Sequence, residues 1–109
     1  MKDADYDHVG RRLRTLEQCA LYRRTLRLTC PRCRHVRVFD AVALWWLFHR
    51  RGWNDGLSAM TQRLRCSRCD KQGHVTRPRI VIGRDAPTGE QPPYPDAATW
   101  KRLVSRYRS

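Results

Sequence analysis

Glutamate is nearly missing from this chain: it occurs only as Glu17 and Glu90. A paired-carboxylate acid–base mechanism therefore has little material. No Ser/His/Asp set, glycine-rich phosphate loop or H-E-x-x-H sequence is present either. Lysine is scarce, with only Lys2, Lys71 and Lys101, so the remaining basic residues are all arginine. No apolar run reaches the roughly 18 residues a membrane-spanning helix needs. The opening Met1-Lys2-Asp3-Ala4-Asp5 has no apolar h-region and does not read as a secretory signal. Together these absences predict a cytoplasmic protein that is not an enzyme and has no membrane partner or small-molecule substrate.

What is present is positive charge. The 109 residues carry a formal net charge of +13. That length suits one domain with a small core, the size range in which a metal staple helps most. The field of such a chain favours anionic partners, and the arginine fork matches phosphate and carboxylate geometry. A GC-rich genome would produce the same arginine bias without functional meaning.

Four of the five cysteines fall in two knuckles, Cys30-Pro31-Arg32-Cys33 and Cys66-Ser67-Arg68-Cys69. Each C-x2-C turn offers two sulfurs to one side of a metal, and two such turns complete a tetrahedron. Cys30, Cys33, Cys66 and Cys69 are therefore expected to hold one structural Zn2+. Four thiolates close the site, which argues against catalytic zinc and makes His35 and His74 unnecessary as ligands. A redox role for the pairs is disfavoured, because the knuckles sit in hairpin context rather than at a helix start. Cys19 falls on an apolar helix face and reads as a buried core thiol.

The stretches Leu28-Thr29-Cys30-Pro31-Arg32-Cys33-Arg34-His35 and Arg63-Leu64-Arg65-Cys66-Ser67-Arg68-Cys69 resemble the zinc-ribbon class. More narrowly, the chain looks like a small bacterial zinc-ribbon protein with a helical insert between its knuckles. The resemblance covers roughly residues 15–80 and implies a structural metal but no single activity. Ribbons often place glycine after the second cysteine of a knuckle. Here Arg34 and Asp70 stand there, and Arg34 suits a left-handed backbone poorly, so the first knuckle is expected to differ in shape.

The expected architecture is small α+β. Zinc-ribbon-like β-hairpins carry the knuckles, a two-helix insert separates them, and N- and C-terminal helices flank them. Residues 1–14 read as a flexible basic arm, 15–83 as the zinc-ribbon-like domain, 84–95 as a Pro/Gly linker and 96–109 as an amphipathic helix. Thr15 and Gln18 have capping-box spacing ahead of a helix to about Arg24. Leu26 and Leu28, then Val36 and Val38, alternate as strands around the first knuckle. Asp40 and Gly52 bracket a helix, and Asn54 or Asp55 is placed to cap a second helix to about Arg63. Leu64 and Arg65 are expected to lead as a strand into the second knuckle, with a return strand within His74 to Ile82. Pro78 confines that strand to an edge or splits it. Trp100, Leu103, Val104 and Tyr107 form the apolar face of the last helix.

The leading functional expectation is nucleic-acid binding, DNA or RNA, through arginine–phosphate contacts. The candidate residues are Arg27, Arg32, Arg34, Arg37, Arg63, Arg65, Arg68 and Lys71. Strand alternation places Arg27, Arg37 and Arg65 on one basic face, opposite Leu26, Leu28, Val36, Val38 and Leu64. Arginines near the knuckles also compensate the charge of a zinc tetrathiolate. The alternative is an adaptor that docks on a transcription or translation assembly, or dimerises, through Trp45 and Trp46. Those two tryptophans read first as core against the last helix. The helix pair with a glycine turn also has helix-turn-helix length, with Ser58, Thr61, Gln62 and Arg63 on its second helix.

Overall fold

The computed structural model describes residues 4–108. Its elements run α1 (Leu16–Leu21), β1 (Thr25–Thr29), β2 (Val36–Asp40), α2 (Ala41–Arg51), α3 (Leu57–Met60), α4 (Ser67–Lys71), β3 (Arg79–Gly83) and α5 (Ala97–Arg108). The three strands form one antiparallel sheet in the order β2-β1-β3. Among the described residues no helix is long and apolar enough to cross a membrane.

The expected helix signals act where the residues predict. Thr15 Oγ1 accepts from Gln18 N at 3.1 Å, and Gln18 Oε1 accepts from Thr15 N at 3.3 Å. This reciprocal pair starts α1. The helix stops at Leu21 rather than Arg24, because the chain turns left-handed at Arg23 (φ 55°) and Arg24 N donates back to Cys19 O. Asp40 caps α2 by accepting from Val42 N at 3.0 Å. Gly52 ends the helix at φ 66°, a conformation open to a residue without Cβ.

The second helix of the insert is shorter than expected. α3 is a single turn, Leu57–Met60, behind Gly56. Asp55 does not cap it, because its carboxylate accepts from Glu17 N of α1 instead. A one-turn element is no recognition helix, so Ser58, Thr61, Gln62 and Arg63 lose the helix-turn-helix setting.

The core lies between the sheet and α1, α2, α3 and α5. Leu13, Leu16, Cys19, Leu26, Leu44 and Phe48 are buried at its centre. Leu13 shows that residues 4–14 are tied down rather than loose: its N–H donates to Asp5 O, and Tyr6 and Arg12 form an antiparallel bridge. Residues 1–3 of the expected arm lie outside the described residues. α5 adds Leu103 to the core and sets Trp100 edge-on against Trp45, ring centroids 6.1 Å apart. The expected contribution of the Tyr107 side chain lies outside what is described.

Residues 84–95 form no regular element, yet they do structural work along the outer edge of β2. Val38 N donates to Thr88 Oγ1, and Thr88 N donates to Val38 O. Asp40 N donates to Gln91 Oε1, and Gln91 Nε2 donates to Val38 O. The chain thus covers residues 38–40 of this sheet edge with its own proline-rich segment, which blunts it as a template.

Candidate metal centre

The first knuckle is the turn of the β1–β2 hairpin. Thr29 pairs with Val36, and Cys30 N donates to His35 O inside that pair. Arg34 N donates to Cys30 O, and Arg34 takes a left-handed backbone at φ 64°. The expectation that Arg34 would change this knuckle is overturned. Arginine accepts the strained conformation, at an order of 1–2 kcal/mol for an L-residue.

It is the second knuckle that departs from a hairpin. Residues 64 and 65 are not a strand, and Cys66 leads straight into α4, which carries Cys69. The loop closes where Cys66 N donates to Thr76 O and His74 N to Cys69 O. The return strand starts only after Pro78, as β3, and pairs with β1 at the sheet edge. Proline cannot donate to a ladder, so the strand begins behind it.

These loops bring four sulfurs together. All four ligand atoms of Cys30, Cys33, Cys66 and Cys69 lie within 4.8 Å of one another. Across the two knuckles, Cys30 Sγ lies 3.6 Å from Cys69 Sγ, and Cys33 Sγ lies 3.4 Å from Cys66 Sγ. A zinc tetrahedron with Zn–S bonds of about 2.3 Å has S···S edges of about 3.8 Å. The spacing fits that figure and is too long for disulfides, whose S–S bond is about 2.05 Å. The donor set therefore fits one tetrahedral thiophilic ion, and Cys30, Cys66 and Cys69 are buried around it.

The thiols are not equivalent. Desolvation works against a Cys30 thiolate, but the N–H groups of Cys33 and Arg32, together with the thiols of Cys33 and Cys69, outweigh it and bring the thiol down to about 6. Cys33 moves the other way, to about 11. The His35 N–H favours its thiolate, yet desolvation and the three neighbouring cysteines prevail. A metal held here would displace these protons and replace mutual repulsion with shared attraction.

Arg32, Arg34, Arg68 and Lys71, within or just beyond the knuckles in sequence, are exposed. Arg32 meets His74 Nε2 at 3.2 Å. The side chains of Arg34, Arg68 and Lys71 have no partner among the described residues. The other candidate cations are engaged elsewhere. Arg27 pairs with Asp85. Arg65 lies 3.6 Å from Asp70. Arg63 sits over the Trp53 ring at 5.0 Å. Arg37 sits over Phe39 at 4.4 Å and donates to Glu90 O.

The expected one-sided basic sheet face does not form. Arg27 stands opposite Val38, whereas Arg37 stands opposite Leu28. Directly opposed residues of an antiparallel pair share a face. Arg27 and Arg37 therefore point to opposite sides of the sheet, and Arg37 shares the side of Leu26, Leu28 and Phe39. Alternation within each strand is read correctly from sequence, but the relative register of two strands is not.

Trp45 is 4% exposed beneath Trp100 and serves as core. Trp46 is half-buried, with His49 stacked at 5.7 Å and Arg50 above it at 5.7 Å. Cys19 is fully buried and, through desolvation, its thiol is pushed up to about 12. Sequence reasoning missed Thr76, Thr88, Gln91 and Asp85, whose roles depend on distant partners and carry no local signal. Comparisons with known protein families, curated proteins and solved structures found no match.

Proposed function

We propose that this chain is a small structural-zinc protein of ribbon type whose two knuckles bind nucleic-acid phosphates. Cys30, Cys33, Cys66 and Cys69 hold one Zn2+, which cross-links the β1–β2 hairpin to the α4 loop and takes no part in chemistry. The observation that carries the reading is that two knuckles whose sulfurs lie within 4.8 Å of one another each carry, within or just beyond the C-x2-C turn, two exposed cations. A zinc tetrathiolate carries about two negative charges. Arg32, Arg34, Arg68 and Lys71 exceed that compensation, and three of them have no internal partner among the described residues. With Arg27 and Arg37 committed within the fold, the phosphate-binding surface narrows to the knuckle end.

The test is fluorescence anisotropy of zinc-loaded protein with labelled single- and double-stranded oligonucleotides, between about 50 and 200 mM salt. The expected result is an affinity that falls linearly on a log–log plot. Replacing Arg34 and Arg68 with alanine should weaken binding and make the slope shallower by about one per lost phosphate contact. Absence of binding at about 50 mM salt with zinc bound would overturn the reading.

A further inference from the structure

The two edges of the sheet are treated differently. β2 is covered at Val38 and Asp40 by Thr88 and Gln91, whereas no backbone hydrogen bond covers the outer edge of β3 among the described residues. Beside β3 runs an open groove of about 1030 Å³. Its apolar lining includes Leu13, Leu57, Ile80 and Ile82, and its cations include Arg14 and Arg79. Arg14 and Arg79 are exposed, and their side chains have no partner among the described residues. The acidic residue lining this groove, Asp5, lies 3.7 Å from Arg12, which also lines it. Val81, in the middle of β3, is 57% exposed.

We propose that the outer edge of β3 is a docking site for an extended acidic peptide of a partner protein, which adds to the sheet as a fourth strand. An edge strand presents alternating N–H and C=O groups that another strand can pair with. Ile80 and Ile82 share one face of β3, and Arg79 and Val81 share the other. An added strand that alternates apolar and acidic residues matches both faces. Its apolar side chains enter the groove beside Ile80 and Ile82, and its carboxylates stand across from Arg79, an opposite-charge cross-strand pair. A second copy of this +13 chain is disfavoured by its own charge. The backbone pattern of a strand edge fits a peptide ladder rather than a phosphate chain.

The test uses zinc-loaded full-length protein and a labelled synthetic peptide that alternates valine and glutamate, read by anisotropy at low salt. Saturable binding is expected, weakened about tenfold or more by Arg14→Glu together with Arg79→Glu. Two further peptides carry N-methyl groups on alternate residues, one on each edge. Only one of them should lose binding, because an added strand uses one edge. Three results would overturn the proposal: no saturable binding, which would mean that the arginines only guard the edge; equal binding of both methylated peptides, which would reduce the contact to charge; and displacement of the peptide by a single-stranded oligonucleotide that itself depends on Arg14 and Arg79. Circular dichroism of the double variant separates loss of binding from loss of fold.

Discussion

Asp55 caps the helix of Glu17, 38 residues earlier in the chain, not the helix it precedes. Its Oδ2 accepts from Glu17 N at 3.1 Å, and its backbone O accepts from Leu16 N at 2.9 Å. Thr15 and Gly56 form an isolated bridge beside it. The insert between the knuckles is thereby tied to the N-terminal helix at the point where α1 has orphan donors.

Asp55→Ala removes a cap that local sequence does not reveal. A loss of about 1 kcal/mol is expected, or a fall in Tm of about 4–8 °C. Asp55→Asn keeps an acceptor oxygen and should lose less. Thermal unfolding of both variants checks this, and an unchanged Tm for Asp55→Ala would refute the cap.

Arg34→Gly should stabilise the protein while weakening its ligand. Arg34 is exposed at φ 64°, where glycine carries no Cβ penalty. A gain of up to about 1 kcal/mol is expected after the entropy cost of glycine. The same change removes one of the exposed knuckle cations and should lower oligonucleotide affinity. A rise in Tm with a fall in affinity separates the strain at this site from its charge.

Metal analysis of the purified chain should give one zinc per molecule. Stripping the metal should unfold residues 24–80, since ligation energy is folding energy in such a site. Cys69→Ser leaves a weaker donor in the buried cluster and should lower zinc affinity. Falling pH should release the metal through proton competition for the thiolates. Circular dichroism unchanged after complete removal of the metal would refute a structural role.

Cys19 should resist alkylation while the fold stands. With its thiol pushed up to about 12, the thiolate fraction at pH 8 is on the order of one in ten thousand. Iodoacetamide should label it only after denaturation, as read by mass spectrometry. The folded thiol titrates above the unfolded one. Its contribution to stability is therefore complete below the unfolded value of about 8.5 and is lost as pH rises toward about 12. Cys19→Ala should flatten that alkaline fall.

Trp45→Ala and Trp46→Ala should differ sharply. Trp45 is buried against Trp100, so its truncation should cost about 3–5 kcal/mol by opening a cavity. Trp46 is half-buried over a cationic edge and should cost markedly less. Equal losses in denaturant unfolding would contradict the packing of α5 described above.

The local signals that were legible are those whose physics is contained within a few residues. Thr15 with Gln18, Asp40, Gly52 and the first C-x2-C turn each act through partners at most five residues away. Pro78 likewise marks the start of β3. The second knuckle was legible as a ligand pair but not as a helix, because α4 depends on how the loop closes through Thr76. Residues 84–95 had the composition of a linker. Nothing in that composition says that Thr88 and Gln91 will complete the edge of β2.

The sequence by itself determined the candidate donor set, Cys30, Cys33, Cys66 and Cys69, because a tetrahedral ion needs four soft ligands and C-x2-C spacing offers them in pairs. It also determined the excess of positive charge, the Thr15 cap of α1 and the Asp40 cap of α2, and Cys19 as an apolar, buried position. Tertiary structure decided where that charge is available. The β1–β2 register sends Arg27 and Arg37 to opposite faces, and Asp85, Phe39 and Glu90 then occupy them. The knuckles leave Arg34, Arg68 and Lys71 exposed and without a side-chain partner among the described residues. Register and long-range pairing are set by the packing of the whole core, which no local window of residues contains.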